Sequence, residues 1–452
     1  MSKIVELKII DLAFDGKAVA KADNGKIVFL NGGLTGETVR AKIVRSKRRF
    51  DEAIVLEILE KSDERIDAIC RHFDHCGGCS WQDLRYQKQL EIKKTHVAGC
   101  IERIGGLENV IVRDTVGSIE QFGYRNKMEF SFNSHPEFGF TLGLHRRGQY
   151  ADIFDLEECH LPSERYGRIV SWLREYVKEK EISVYDIDEH KGFMRFLVIR
   201  DTKNRDELMI NIVTNSGDFP SQEELTDKMT NAFPEITTIV HNENGQKANI
   251  AVGDKETVLY GNGFITEELM GHSFKISSNS FFQTNTLQAE KLYQIAFDML
   301  KLNGTEKVLD LYCGTGAISI CVAPKVAEVT GVELVADAIT AAKENADINE
   351  CANVVFILSD TKDFLRNNDT EFDVVITDPP RAGMHPKALK QMISLLSEKI
   401  LYISCNPSTF ARDAREIVDA GYELPEVQPV DMFPHTRHIE IAALFVKQEL
   451  LA

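Results

Sequence analysis

The chain has no run of about 18 apolar residues, the length a helix needs to cross a bilayer. Met1-Ser2-Lys3-Ile4-Val5-Glu6 also lacks the long apolar stretch of a secretory leader. Neither a membrane protein nor an exported one is expected, and the cytoplasm is the expected address. Thiols stay reduced there, so the nine cysteines are read as ligands, a nucleophile or packing residues rather than disulfides. No internal repeat and no low-complexity segment is present. Net positive charge is missing too: the formal charge of −17 argues against wholesale coating of nucleic acid.

What is present fits an ordinary soluble protein, 43% apolar and 27% charged. Its 452 residues exceed the usual size of one hydrophobic core, so two to four domains are expected. Charge is unevenly spread: residues 1–60 carry 11 Lys and Arg against 9 Asp and Glu, leaving the remainder strongly acidic. Arg40, Lys42, Arg45, Lys47, Arg48 and Arg49 form one basic patch. It could hold a polyanion, and a solvated strand face is the plainer reading.

Five short β-patterned runs fill the first 60 residues: Val5 to Ile10, Lys17 to Ala20, Lys26 to Leu30, Glu37 to Val44, and Glu52 to Leu59. Asp15-Gly16, Asn24-Gly25 and Asn31-Gly32-Gly33 punctuate them as turns do. So many strands in so short a segment predict a small OB-like barrel. Lys61-Ser62-Asp63-Glu64-Arg65 reads as a linker, and residues 70–82 as a cysteine-rich knuckle. A helix is predicted from Asp83 to Ile104, with Leu90, Val97, Ile101 and Ile104 on one stripe. Residues 110–277 alternate strands with a long helix, and the short links predict antiparallel pairing. After a helix from Asn285 to Leu300, strands and helices alternate regularly from Lys307, the pattern of a doubly wound α/β sheet. The expected division is 1–62, 63–277 and 278–452.

The chemistry gathers at strand ends. Asp310-Leu311-Tyr312-Cys313-Gly314-Thr315-Gly316 ends one strand and opens a helix, a turn in which glycine lets backbone approach a ligand. Glu333 ends the next strand, 23 residues after Asp310, where a carboxylate can accept from ribose hydroxyls. The third glycine of a dinucleotide pattern is lacking, as is a P-loop lysine. A cofactor without pyrophosphate, such as S-adenosylmethionine, fits better than NAD. Cys405 ends the apolar strand Leu401-Tyr402-Ile403-Ser404, just ahead of a helix beginning at Pro407. A helix start is expected to lower a thiol's pKa and so favour the nucleophilic thiolate. Asp378-Pro379-Pro380-Arg381 resembles the Asp/Asn-Pro-Pro-aromatic turn of amino-group methyltransferases, but Arg381 replaces the aromatic, which points to a target other than an exocyclic amine. Glu440 interrupts an apolar strand. Burial would make it basic enough to accept a proton, and a solvent-facing strand position is the competing reading. His435 and His438 stay open between structural and catalytic roles.

Together these residues resemble the RNA uracil-5 methyltransferases, specifically those with an N-terminal TRAM module and an iron–sulfur cluster. The matching segments are Asp378-Pro379-Pro380-Arg381-Ala382-Gly383, Tyr402-Ile403-Ser404-Cys405-Asn406, His438-Ile439-Glu440, the turn from Asp310 to Gly316, and Phe281-Phe282-Gln283. The resemblance implies a Rossmann-like methyltransferase domain over 278–452, a TRAM barrel over 1–62 and a central α+β domain over 63–277. It implies that Cys405 adds to C6 of a uracil and that Glu440 removes the C5 proton. Gln283, Tyr312, Gly314, Glu333 and Asp378 would contact S-adenosylmethionine, and Arg381 would sit near the substrate. Arg125 and Lys127, in Tyr124-Arg125-Asn126-Lys127, would face RNA, as would Gly143-Leu144-His145-Arg146-Arg147. Cys70, Cys76, Cys79 and Cys159 would hold a [4Fe–4S] cluster. A structural zinc is the rival, with His72 and His75 nearby. Cys100, Cys321 and Cys351 read as packing residues, and Cys313 as chemically idle.

The expected reaction is therefore formation of 5-methyluridine in 23S ribosomal RNA on a flipped or single-stranded base. The tRNA T-loop is the alternative. The barrel and the cysteines favour the ribosomal target, since the tRNA branch usually lacks both. Radical methylthiolation needs a Cys-x3-Cys-x2-Cys site, whereas Cys70, Cys76 and Cys79 are differently spaced. A non-catalytic RNA-binding or ribosome-assembly protein is the rival from another class, disfavoured by intact Cys405 and Glu440. No membrane contact and no obligate protein partner is expected.

Overall fold

The computed structural model describes residues 3–135 and 137–448, so the outermost residues of the first and last expected units lie outside it. Five strands, β1 (Ile4–Leu12), β2 (Ala18–Lys21), β3 (Ile27–Asn31), β4 (Thr38–Ser46) and β5 (Phe50–Glu60), close into a barrel in the order β1-β2-β3-β5-β4. Alternation explains it: Leu7, Ile9, Val28, Leu30, Val39 and Ala41 point inward and are buried. Asp15-Gly16 and Asn24-Gly25 do turn the chain, with both glycines at positive φ. The basic run lies on β4 and the turn after it, where Arg40 pairs with Glu57 at 2.5 Å and Lys47 with Glu52 at 3.7 Å. Arg65 anchors the following linker by donating to the buried Glu37 at 2.6 Å and to Asp83 at 2.5 Å.

Past the cysteine segment come α1 (Tyr86–Arg103) and the short β6 (Ile111–Val112). The central sheet is built from β7 (Lys127–His135), β8 (Gly139–Arg146), β9 (Gln149–Asp155), β10 (Met194–Asp201), β11 (Leu208–Thr214), β12 (Thr238–Glu243) and β13 (Lys255–Tyr260). Its order is β13-β12-β11-β10-β7-β8-β9. One face is covered by α2 (Arg165–Glu179) and α3 (Gln222–Ala232) over a core that includes Phe130, Phe132, Leu173, Leu197 and Ile210. Pairing is antiparallel as expected, except that β11 and β12 run parallel, because α3 forms a crossover between them. A hairpin, β14 (Phe264–Leu269) with β15 (His272–Ser277), leads onward.

The last part is a wound α/β sheet. Its elements are α4 (Thr286–Leu300), β16 (Lys307–Leu311), α5 (Ala317–Val322), β17 (Glu328–Glu333), α6 (Ala336–Ile348), β18 (Val354–Leu358), α7 (Thr361–Asn367), β19 (Val374–Thr377), α8 (Pro386–Ser394), β20 (Lys399–Ser404), α9 (Pro407–Asp419), β21 (Tyr422–Glu423), β22 (Glu426–Val430) and β23 (Glu440–Lys447). The order β18-β17-β16-β19-β20-β23-β22-β6 is parallel through β20 and then antiparallel at β23. Strands buried on both faces read as unbroken apolar runs, and Ile400-Leu401-Tyr402-Ile403 is fully buried. α1 packs on α9 and β22, so the helix after the cysteine segment belongs to the wall of this sheet. Among the described residues no helix is long and apolar enough to cross a membrane.

Candidate active site

Register sets the site. Leu311 pairs with Val332 and Thr377, and Thr377 pairs with Tyr402, so β16, β17, β19 and β20 end on one rim. Glu333 is the last residue of β17, and Tyr312, Asp378 and Cys405 follow the other three ends, on the side of a parallel sheet where ligands bind.

At the first of these ends the chain turns sharply. Tyr312 lies at φ 66°, Gly314 at 54° and Gly316 at 85°. A side chain at Gly316 would stand 2.8 Å from Phe356, whereas one at Gly314 would meet nothing within 4 Å. Gly316 is therefore needed for packing, while Gly314 leaves open space beside the turn. The Glu333 carboxylate receives the amides of Gly314 at 3.2 Å, Leu334 at 2.7 Å and Val335 at 3.0 Å. A carboxylate has about four lone-pair sites, so one remains for a ligand hydroxyl. Asp310 is buried, takes a 2.5 Å hydrogen bond from Ser319 on one oxygen and has no partner on the other. Burial raises its carboxyl to about 7. An open turn, a carboxylate with spare capacity and an unmatched acceptor fit a nucleoside-bearing cofactor such as S-adenosylmethionine.

Gln283 reaches the same region from the loop before α4. Asn285 caps that helix through the Gln288 amide at 3.3 Å. Gln283 hydrogen-bonds the phenol of buried Tyr293, which also lies within electrostatic reach of Asp378. Tyr293 was not legible as a site residue, because inside an amphipathic helix an aromatic reads as core.

Cys405 is half-buried between β20 and α9. The expected lowering of its pKa is not found. Burial pushes the thiol up to about 11, the charges of Glu440 and Asp378 add to this, and Arg381 and a backbone hydrogen bond oppose them. The helix start gives little help because the Asn406 side chain already accepts from the Ser408 amide at 3.1 Å. Ser404 pairs with Ile441 across β20 and β23, which sets Glu440 beside the cysteine. Glu440 is 5% exposed, so the solvent-facing alternative fails. Burial and the charge of Asp378 raise its carboxyl well above the ordinary range, against Arg381. Asp378 itself is pushed up to about 7 by burial. Three acids thus stand at one place, and Arg381 is the cation that opposes the rise at Cys405 and Glu440.

The Arg381 loop is fixed to α9. Its carbonyl accepts from Asn406 at 2.9 Å and from Thr409 at 3.3 Å. Asp413 receives the Met384 amide at 2.9 Å and the Tyr402 hydroxyl at 2.7 Å. A side chain at Gly383 would come within 2.9 Å of Asp413, so only glycine permits this approach. Asn406, Tyr402 and Asp413 are supporting residues that local pattern does not reveal.

The chain entering β23 is held from several sides. Lys93 and Asp431, both fully buried, meet at 2.6 Å, and Tyr86 donates to the other Asp431 oxygen at 2.9 Å. The His435 carbonyl accepts from the amides of Ser80 at 2.8 Å and Trp81 at 3.0 Å. Its ring stacks on Phe122 at 4.2 Å and meets Gln89 at 3.3 Å. His435 is therefore a packing residue. His438, by contrast, faces Arg381, Arg437 and Arg125. Burial and these cations lower it to about 4 and keep the ring neutral. Arg125 and Lys127 lie at the start of β7 and are half-buried, with Lys127 paired to Glu129 at 2.8 Å.

Cys70, Cys76, Cys79 and Cys159 line one cavity of about 30 Å³ together with Phe73, Met128, Leu144, Leu156 and Leu161. Gln82 donates to the Cys79 sulfur at 3.2 Å and the Gly78 amide to the Cys76 sulfur at 3.3 Å. Among the described residues no three His, Cys, Asp or Glu side chains converge as a metal ion requires. The two findings are compatible: four thiols share an apolar chamber without closing on a single point. Four thiols are a donor set that zinc and an iron–sulfur cluster both take. Cys100 and Cys321 are buried and Cys351 half-buried, as packing residues are.

The model of the tRNA (uracil-5-)-methyltransferase family matches residues 221–448, and that of the TRAM domain residues 2–56. An uncharacterized RNA methyltransferase of Caldanaerobacter subterraneus subsp. tengcongensis is 38% identical over 98% of this chain and 99% of its own length. One of Chlorobaculum tepidum is 38% identical over 99% and 97%. Among solved structures, the Pyrococcus abyssi tRNA (uracil-54, C5)-methyltransferase in complex with S-adenosyl-L-homocysteine superposes with a TM-score of 0.79 and 29% identity. That match covers 99% of this chain and all of the other.

Proposed function

The chain belongs to the tRNA (uracil-5-)-methyltransferase family and carries a TRAM domain, and from that premise we propose that Cys405 and Glu440 carry out methyl transfer to C5 of a uridine through a covalent adduct. It is an S-adenosylmethionine-dependent RNA (uracil-5-)-methyltransferase. The observation that carries the proposal is the Ser404–Ile441 pairing, which brings a thiol and a buried carboxyl to one rim beside the cofactor turn.

The Cys405 thiol first gives up its proton to solvent, and the thiolate then forms a bond to C6 while the C5–C6 electron pair shifts to make C5 a carbon nucleophile. Bound S-adenosylmethionine supplies the methyl group that C5 takes up. Glu440 then accepts the C5 proton, the double bond re-forms, and the Cys405 thiolate leaves. Arg381 stabilises negative charge on the thiolate and on the carboxylate. Gln283, Tyr312, Gly314, Glu333 and Asp378 hold and orient the cofactor. Neutral His438 and the cations Arg125 and Lys127 line the approach of the RNA.

Ribosomal RNA is the first reading of the substrate. The tRNA reading gains from the Pyrococcus abyssi likeness, since a tRNA enzyme there matches the whole chain, barrel included, and the argument from domain content loses its force. Cys70, Cys76, Cys79 and Cys159 would hold a [4Fe–4S] cluster, supported by the shared cavity. The N–H groups of Gln82 and Gly78 would stabilise its thiolates. Iron, acid-labile sulfide and zinc assays on the purified protein decide between cluster and zinc. The proposed division remains 1–62, 63–277 and 278–452, and the proposed location the cytoplasm.

Incubation with methyl-labelled S-adenosylmethionine and separate pools of unmodified ribosomal and transfer RNA tests the function. Label at C5 of a uridine supports it, and label confined to another base or atom refutes it.

A further inference from the structure

One face of the central sheet carries more positive charge than its partners balance. Arg200 on β10 pairs directly across from Lys127 on β7, so their side chains share that face. Glu129 lies two residues further along β7, opposite Val198, on the same face. Arg125, just before β7, donates to the Lys127 carbonyl at 2.9 Å. Three cations therefore stand together with one carboxylate, and that carboxylate is taken by Lys127 at 2.8 Å.

Arg200 is the unusual member. It is only 4% exposed, yet among the described residues its one side-chain hydrogen bond runs from Nη2 to the Ser280 carbonyl at 2.9 Å, and Nη1 is buried without a partner there. A buried guanidinium with an unused donor is costly. Burial lowers its pKa to about 10, only partly countered by Tyr166 and Glu129. Burial, Arg200 and Arg125 likewise lower Lys127. An arrangement that keeps like charges together at this cost gains from an incoming anion.

The surroundings indicate which anion. Ser280 stands three residues before Gln283, in the loop that reaches the cofactor turn. Asn126, between Arg125 and Lys127, donates to the Gln283 carbonyl at 3.1 Å and through its backbone to Thr284 at 2.9 Å. Arg125 also lies within electrostatic reach of His438, two residues before Glu440. The cluster opens to solvent at Lys127 and Glu129, whose side chains are 25% and 50% exposed. We propose that Arg200, with Lys127 and Arg125, forms a site for one backbone phosphodiester of the RNA, next to the nucleotide that enters the active site. This rests on the reading of the substrate as RNA and adds a residue, Arg200, and a ligand group to it.

The test is equilibrium binding of a uridine-containing RNA hairpin to the full-length protein across a series of salt concentrations. Losing one phosphate contact lowers the slope of log K against log[salt] by about 0.7 to 0.9. Arg200→Gln should therefore weaken binding and narrow the ratio of affinities between 50 and 200 mM salt by about threefold. S-adenosylhomocysteine affinity should be unchanged. Glu129→Gln, a surface change that removes the counter-charge, should do the reverse: tighter binding and a steeper slope. If Arg200→Gln does not fold, Glu129→Gln decides alone. A wild-type slope in either variant overturns the site. Methylation is not the readout, so its absence with altered slopes would count against the catalytic reading only, and unaltered slopes with normal methylation against the phosphate site only.

Discussion

Replacing Lys93 by Met tests whether α1 holds the base-bearing strand in place. Lys93 donates to Asp431 at 2.6 Å and to the Phe433 carbonyl at 3.1 Å, with both members of the ion pair shielded from water. Methionine fills similar volume but leaves Asp431 as a lone buried charge, a change that costs about 3–5 kcal/mol. Asp431 also accepts from Tyr86 and from the Phe433 amide, so leucine at 431 would strand further donors. Asparagine keeps one acceptor, for the Phe433 amide, without the charge, and its NH2 can donate to the Tyr86 hydroxyl oxygen. The double variant Lys93→Met, Asp431→Asn should therefore regain more than half of the lost stability. Urea unfolding of each variant, followed by S-adenosylhomocysteine binding and turnover, measures both effects. Turnover should fall with the single change, because residues 431–438 lead directly to Glu440, and should partly recover in the double. A single variant costing under about 1 kcal/mol, or a double variant no better than the single, would refute the reasoning.

Two further outcomes follow from the rim. Glu440→Gln cannot take the C5 proton, so RNA should accumulate as a denaturant-resistant adduct with the protein while product release drops at least a hundredfold; ordinary turnover on a gel-based assay would count against the assigned base. Arg381 lowers the pKa of both Cys405 and Glu440, and a cation favours the deprotonated form of each. Arg381→Gln should therefore move the acid limb of the kcat/KM profile to higher pH by on the order of one unit, with losses greatest at low pH. An unshifted limb would remove Arg381 from that role.

Much of the fold is legible in the chain because its signals are local. Asp15-Gly16 and Asn24-Gly25 announce the barrel's turns, and Ile400 to Ser404 announces a buried parallel strand. The site motifs are legible for the same reason, since each sits at a strand end where apolar pattern gives way to polar residues. What escapes is what depends on distant partners. Gln89 and Lys93 look like solvent-facing residues on an amphipathic helix, yet both are fully buried against a segment more than 330 residues away, while Ile104, expected on the buried stripe, is 52% exposed. The Cys405 thiol is misjudged from sequence because the helix start is visible there and the facing carboxyls of Glu440 and Asp378 are not. The parallel pairing of β11 with β12 is hidden similarly, because α3 supplies a crossover that the spacing of the strands does not announce.

The decisive step is the bond from the Cys405 sulfur to a pyrimidine carbon. RNA bearing 5-fluorouridine has no C5 proton for Glu440 to remove, so incubation with S-adenosylmethionine should leave a stable complex, and mass spectrometry should map the crosslink to Cys405. A crosslink at another residue, or methyl transfer that persists in Cys405→Ala, would contradict it.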